Sequence, residues 1–447
     1  MELTTSAISL PAIEPLWARQ VREDPHLLAD IAHSVRGAFH VLHPAQFASN
    51  TEAFKKVLAA EGVAGQVYFG KKANKAECWL PACARSDAGV DVASAPELAH
   101  ALSSGVRGAD IIVTGAAKSD ELLWLAARHR CLIAVDALDE MDRLLSVASS
   151  CGPVRVLLRV LPEVNPHSRF GLATAELDAA LERCVQARDL VDMAGFSFHL
   201  NGYEVAPRAG LADELIDACL AARHRGLAAG SISIGGGFAV SYLDGPTWQR
   251  FNRDYQDSWF HHNKTFTQFY PYHQSPTSAA MLRAILAGPG TGPYASLGAK
   301  FARTETRLLL EPGRALLDGA GFSVFPVQGF KERGDYGIVT VAGLSASVSE
   351  QWKNSEYLPD PLLWPGAGAG TPTTACVGGA SCLEYDMLTW RKVPFPREPR
   401  YGDLLIYPNT AGYQMDKNET EFHQIPLPTR VVVTRDETGF RWSLDRQ

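Results

Sequence analysis

Residues 307–314 read Arg307-Leu308-Leu309-Leu310-Glu311-Pro312-Gly313-Arg314. Three consecutive leucines suit a strand buried on both faces, as in a parallel sheet, and the Pro-Gly pair then stops it. Similar short apolar or β-branched runs precede it at Gln66–Gly70, Gly89–Ala93, Asp110–Thr114, Leu132–Asp136, Val154–Val160, Met193–Leu200 and Ser231–Gly235. With Arg307–Glu311 they make eight. Amphipathic, Ala/Leu-rich stretches alternate with them, among them Ala95–Ser103, Ser119–Ala127, Leu138–Ser149, Ala175–Ala187 and Gly210–Arg225. Eight strand-helix repeats in roughly 250 residues predict an α/β fold, a closed (β/α)8 TIM barrel, with a doubly wound open sheet as the competing architecture. In a barrel the chemistry sits at the carboxyl ends of the strands, where Lys72, Asp91, His199, Gly235-Gly236-Gly237 and Glu311 all fall.

After residue 320 the texture changes to short alternating runs, including Phe322–Gln328, Gly337–Ala342, Asp403–Tyr407 and Thr429–Thr434, separated by Gly/Pro-rich turns. This reads as a C-terminal all-β domain over 321–447. The barrel is expected over 45–320, with residues 1–44 as a segment packing on the β domain. An aromatic- and His-rich stretch at about 245–300, from Trp248 to Gly298, interrupts the last two barrel strands and reads as an insertion over the barrel mouth. Its Trp248, Trp259, Phe260, Phe266, Phe269, Tyr270 and Tyr272 suit either a lid or substrate pocket, or the packing of an accessory helix.

The composition excludes several classes. A chain of 447 residues, 46% hydrophobic and 20% charged, buries a large core. The net charge of −7 is modest and the 49 acids and 42 bases are interleaved, which gives no support to nucleic-acid binding. No basic start with an apolar core opens the chain, and no run approaches the roughly 20 apolar residues that span a bilayer. A cytoplasmic protein without a membrane partner is the expectation. The eight cysteines are scattered without a CxxC pair, so neither a disulfide framework nor a zinc site is expected, and no other metal site is evident.

The triple glycine brings backbone N–H groups close to an anion, and Arg314 adds a bidentate contact to the same group. Each feature alone has a plainer reading, a tight turn and a surface charge. Found at the ends of consecutive strands, they mark a phosphate site. Strand parity places Lys72 with Gly70 and Tyr68, and Lys71 with Phe69 and Val67. If Gly70 faces inward, Lys72 reaches the centre, and an amine in a partly dry pocket has a depressed pKa and forms a Schiff base with an aldehyde. Glu311 would face a ring nitrogen and keep it protonated, or else pair with Arg314 as a strand-end ion pair. Phosphate, amine and carboxylate together point to pyridoxal phosphate, used for decarboxylation in preference to racemisation.

The same residues carry a resemblance to a family. The chain resembles the fold-type III pyridoxal-phosphate decarboxylases, which include diaminopimelate, ornithine and arginine decarboxylases, over most of its length apart from the insertion and the extreme N-terminus. The matching motifs are Phe69-Gly70-Lys71-Lys72-Ala73-Asn74, Asp91-Val92-Ala93-Ser94 with Glu97, Ser168-Arg169-Phe170-Gly171, Phe198-His199, and Ile234-Gly235-Gly236-Gly237-Phe238. Glu311-Pro312-Gly313-Arg314, Cys382 with Asp386, and Ala411-Gly412-Tyr413 complete them in family order. The resemblance implies that Lys72 forms the internal aldimine, His199 stacks on the cofactor ring, and Glu311 binds the ring nitrogen. It places Gly235, Gly236, Gly237, Gly313, Arg314 and Tyr413 around the phosphate, with Asp91 near Lys72. It makes Cys382 the proton donor to the α-carbon, supplied by the partner subunit of a head-to-tail homodimer.

Two positions depart from the family. Asn201-Gly202 stand where a Gly-Ser pair is usual, so a serine contact to phosphate is absent or replaced. Leu383 follows the cysteine where an acid usually pairs with a distal ammonium of the substrate. Either Glu384 or Asp386 takes over that pairing, or the substrate has no distal amine. The expected activity is removal of the α-carboxyl of an amino acid or amino-acid conjugate through a Schiff base and quinonoid. A secondary-metabolite or siderophore precursor would suit the aromatic insertion. An amino-acid racemase and a catalytically silent regulatory relative are the alternatives.

Overall fold

The computed structural model describes residues 7–348, 355–366 and 369–445. After a first strand, β1 (Phe39–Leu42), eight parallel strands close into a barrel: β2 (Gly65–Gly70), β3 (Gly89–Val92), β4 (Ile111–Val113), β5 (Leu132–Val135), β6 (Val154–Arg159), β7 (Val191–Ser197), β8 (Ser231–Ser233) and β9 (Arg307–Leu310). All eight runs picked out in the sequence are barrel strands, and β9 closes on β2 by pairing Leu308–Leu310 with Gly65–Val67. The open sheet is therefore excluded.

Side-chain alternation explains the unbroken apolar runs. Tyr68, Ile112, Leu132, Leu157 and Leu309 fill the barrel interior, while Phe69, Val90, Ile111, Val113, Ile133, Val156 and Leu310 point outward into the layer under the helices. Both faces are dry over most of each strand, and the buried polar Asp91 and Ser233 stand at or near the carboxyl ends. The helices start where short polar side chains cap them. The Ser94 hydroxyl accepts from Glu97 N at 3.3 Å while the Glu97 carboxylate accepts from Ala93 N at 2.8 Å, a reciprocal box that satisfies two orphan donors. Ser119, Asp244 and Ser296 cap later helices in the same manner.

The presumed insertion is only partly one. Helices Ser278–Leu286 and Leu297–Arg303 supply Leu282, Ile285, Leu286 and Phe301 to the core around the barrel and hold the outer helical position between β8 and β9. The sequence reading missed them because the Gly/Pro-rich link at 288–293 breaks their periodicity. The aromatic part, residues 248–272, is a packed cluster in which Phe251, Tyr255, Trp259, Phe260, Phe266 and Phe269 make ring contacts. It leans on the second sheet through His261, whose Nδ1 lies 2.7 Å from the Tyr336 hydroxyl.

That sheet has nine strands: β1 together with β10 (Gly321–Arg333), β11 (Tyr336–Val341), β12 (Leu362–Trp364), β13 (Thr373–Gly378), β14 (Met387–Phe395), β15 (Leu404–Tyr407), β16 (Thr429–Asp436) and β17 (Gly439–Leu444). β1 lies between β10 and β16. Helices Leu16–Glu23 and Leu27–Val35 bury Trp17, Val21, Leu28 and Ile31 against Val41, Phe322, Val324 and Val431. No helix among the described residues is long and apolar enough to cross a membrane.

One glycine shows how tightly the barrel closes. Gly195, at φ +148°, sits where the pairing of β6 with β7 shifts register, and a Cβ there would lie 1.8 Å from Ser231 O of β8. Gly195→Ala is expected to cost ~3 kcal/mol of stability, because backbone and not a movable side chain blocks the methyl. The midpoint of chemical denaturation measures it.

Candidate active site

The carboxyl ends of β2, β7, β8 and β9 open into a cavity of about 630 Å³. Its walls include Lys72, His199, Gly236, Gly237, Glu311, Gly313, Arg314 and Tyr413, so segments as far apart as 72 and 413 converge on one space. Gly70 faces the site, which meets the condition set for Lys72: a Cβ added there would lie 3.5 Å from Gly313 Cα and 3.6 Å from both the Asp91 carboxylate and the Glu311 carbonyl. The chain turns straight after β2 into a short 3-10 turn, Lys71–Ala73, which points Lys72 into the cavity and buries Lys71.

Lys72 Nζ donates to Asp91 Oδ2 at 3.1 Å, and Thr114 Oγ1 donates to Asp91 Oδ1 at 2.5 Å. The depressed Lys72 pKa expected from the sequence is reversed. Attraction to Asp91 outweighs desolvation and raises it above the ordinary lysine range. Burial lowers the pKa of Lys71, whose Nζ contacts the Lys75 carbonyl at 3.3 Å. Asp91 thus holds a protonated Lys72 ready at the cavity wall.

Glu311 follows β9 directly and accepts a 2.5 Å hydrogen bond from Ser233 Oγ. Burial, reinforced by the negative charge of Asp91, pushes its carboxyl up to about 7. Ser233 was not singled out in the sequence, although parity along Ser231-Ile232-Ser233-Ile234-Gly235 places it on the same face as Gly235. His199 opens onto the cavity with an exposed edge, while its other side packs against the Gly235–Gly236 turn. Burial, then the charges of Lys72, Arg159 and Arg208, lower its pKa to about 3. Gly236 N–H donates to its Nδ1 at 3.4 Å, so Nε2 carries the proton of a neutral ring.

The glycine turn is built for close approach. Gly235 and Gly237 have φ +66° and +77°, and added Cβ atoms would meet His199 Nδ1 at 2.6 Å and Arg208 Nη2 at 2.3 Å. At Gly236 a Cβ would lie 2.7 Å from the Glu311 carbonyl, and at Gly313 it would lie 2.9 Å from the Ala73 methyl. Arg314 Nη1 donates to the Tyr242 hydroxyl at 2.8 Å and to Gly412 O at 3.2 Å. The rings of Tyr270 and Tyr413 lie 4.4 and 4.9 Å from its guanidinium carbon. Tyr413 itself is at φ +78°, held there by its N–H bond to Ala73 O at 2.9 Å and by Asn74 Nδ2 to Ala411 O at 2.9 Å. The loop between β15 and β16 of the second sheet thereby closes this end of the cavity.

A family model described as "Pyridoxal-dependent decarboxylase, pyridoxal binding domain" matches residues 45–273. The chain belongs to the pyridoxal-dependent decarboxylase family. Within it, this decarboxylase is 34% identical over 418 residues to the uncharacterized protein y4yA of Sinorhizobium fredii, covering 92% of this chain and 91% of that one. It is 25% identical to the diaminopimelate decarboxylase of Bacillus subtilis, covering 89% and 87%. The diaminopimelate decarboxylase of M. jannaschii in complex with L-lysine superposes with a TM-score of 0.73 at 18% identity, covering 94% and 92%, which establishes the shared fold. The cofactor of the family is pyridoxal phosphate, and the site fits it: a cradle without side chains beside a cation, an amine on the wall, and a proton-holding carboxyl across from them.

Three of the candidate residues are elsewhere. Cys382 and Glu384 lie exposed in the loop between β13 and β14 and do not line this cavity. Cys382 Sγ is 3.1 Å from His423 Nε2, a pairing that sequence gave no means of finding. Asp386 is buried, and its carboxylate accepts from Ser345 N at 2.7 Å and Ser381 N at 3.1 Å; it holds the loop in shape. Of the aromatic stretch, Phe269 and Tyr270, with Gln268 and Pro271, reach the cavity, and the Tyr270 hydroxyl meets that of Tyr203 at 2.5 Å.

Glu311 binds its proton up to about pH 7 when folded, against 4.5 for the ordinary value. Between those values the folded state holds more protons than the unfolded one, so its contribution makes stability fall as pH rises. Cofactor-free Glu311→Gln should therefore lose less thermal stability than wild type between about pH 5 and about pH 8, a difference on the order of 3 kcal/mol. In the cofactor-loaded protein, Lys72→Ala should abolish the absorbance at about 420 nm that marks pyridoxal phosphate joined to an amine, while Lys71→Ala keeps it.

Proposed function

We propose that this protein removes the α-carboxyl of an amino acid or amino-acid conjugate whose side chain carries no distal ammonium. The observation that supports the reading most is the meeting in one cavity of Lys72, held by Asp91 behind it, with Glu311 and the glycine turn it packs against. Bound there, pyridoxal phosphate supplies an aldehyde for amines and a ring that accepts the electron pair left when carbon dioxide departs. The chain's residues do the rest. Lys72 would hold the aldehyde end and give it up to the substrate amine; the proton shed by the incoming amine balances the one taken up by the released Lys72 amine, whose charged form Asp91 favours. Glu311 keeps a proton at the ring nitrogen, the neutral His199 covers one ring face, and Gly235–Gly237, Gly313, Arg314 and Tyr413 grip the phosphate.

The remaining wall speaks for the side chain. Leu200, Asn201, Tyr203, Gln268, Phe269 and Tyr270 line it, and Glu311 is the sole carboxylate among the described lining residues. Leu383 occupies the position after the cysteine, and Asp386 is committed to its own loop. A larger, uncharged side chain fits these groups better than a terminal ammonium, in keeping with a secondary-metabolite or siderophore precursor made in the cytoplasm.

In the same reading two copies pair head to tail, each offering Cys382 as the proton donor to the other's α-carbon. The loop that carries it is flanked by outward-facing apolar rings, Tyr385 at 67% and Phe422 at 42% exposure, suited to cover by a second copy. Lys72→Ala and Cys382→Ala, each inactive alone, are expected to recover about a quarter of wild-type activity when mixed and reassociated, since half of the dimers are then mixed with one intact site of two.

Carbon dioxide release from a panel of L- and D-amino acids, including acyl- and citrate-conjugated ones, tests the activity. Release above background, lost in Lys72→Ala, is the expected result. Racemisation without carbon dioxide, or fast turnover of lysine, ornithine or diaminopimelate, would overturn the proposal.

A further inference from the structure

Arg208 belongs to the helix Val205–His224 behind the glycine turn and is fully buried. Its Nη2 donates to Leu200 O at 2.9 Å and Gly202 O at 2.7 Å, and its Nη1 donates to Glu204 O at 2.8 Å. All three acceptors are neutral carbonyls. No carboxylate lies within ion-pair distance among the described residues, and Nε is buried without a hydrogen-bond partner. A buried cation left uncompensated costs several kcal/mol, which is tolerable where an anion arrives to share the field.

The guanidinium backs directly onto the place where that anion would sit. A Cβ on Gly237 would fall 2.3 Å from Nη2, and Gly202, Gly236 and Gly237 form the opposite, cavity-facing side of the same wall. Gly202 is also the position where the resemblance called for a serine hydroxyl on the phosphate. We propose that Arg208 supplies, from behind the Gly235–Gly237 turn, the positive charge that replaces this missing hydroxyl and strengthens the grip on the cofactor phosphate. It acts through the turn and its three carbonyl contacts, so it is a positioning residue and not a catalytic one. The inference rests on the assignment of the glycine turn to the phosphate.

The test compares pyridoxal phosphate with pyridoxal, which lacks the phosphate, by titrating each into the full-length chain freed of cofactor and following absorbance. Arg208→Gln keeps donors for the carbonyls but removes the charge; it should weaken pyridoxal phosphate at least about tenfold and pyridoxal less than about twofold. Arg208→Lys should hold pyridoxal phosphate within about threefold. Equal losses for both ligands in either variant would make Arg208 a structural strut only, and unchanged binding in Arg208→Gln would sink the inference. If the Gln variant does not fold, judged by its thermal transition without cofactor, the charge-free Arg208→Met takes its place on the same criterion. Arg314→Met run in parallel separates the two layers of the argument. Selective loss of the phosphorylated ligand there, without any in Arg208→Gln, ends only this inference; no selective loss at Arg314 overturns the phosphate assignment itself.

Discussion

An amine and two carboxyl groups share the mouth of this barrel, and the rest of the site is arranged around their mutual field. Asp91 is buried and ion-paired with Lys72, so Glu311, enclosed nearby, cannot easily carry a second negative charge. The result is a division of labour by environment: one acid fixes the lysine, the other keeps a proton. Ser233 and Thr114 each add a short hydrogen bond to one of the two acids, and His199 stays neutral beside them because desolvation, and after it the surrounding cations, oppose its charging.

Close approach of backbones makes that arrangement possible. Gly313 and the 235–237 turn lack side chains where strand ends crowd together, and a methyl at any of them would collide with Ala73, His199, the Glu311 carbonyl or Arg208. The second sheet supplies the closing piece. Tyr413 adopts a left-handed backbone at the rim because its N–H is tied to the lysine segment, a strain that the packed sheet behind it sustains. β1, from the N-terminal end of the chain, sits in the middle of that sheet, so the order of folding segments is interleaved even though the barrel reads as a continuous run.

The aromatic stretch shows how composition misleads about location. Its rings suited a lid or substrate pocket, and suited the packing of an accessory helix better. Most of them are buried against one another and against the second sheet, and only residues 268–271 touch the cavity. The two helices that follow are part of the barrel wall, their periodicity broken by the Gly/Pro link at 288–293 between them.

Much of the fold was legible because burial on both faces leaves a parallel strand no choice but to be apolar, and eight such runs with helices between them admit few topologies. The motifs at strand ends were legible for a related reason: glycine, lysine and acid at those points serve geometry that no other residue type serves. β1, the short β12 and the helix Pro44–Ala60 escaped notice, since four-residue strands and mixed helices carry little pattern of their own. Charge states belonged wholly to the tertiary structure. That Lys72 is held protonated, that Asp386 serves its own loop, that Cys382 meets His423, and that Arg208 lies behind Gly237 all depend on distances between separate segments of the chain, and electrostatic energy is set by those distances and by burial, neither of which a linear order of residues contains.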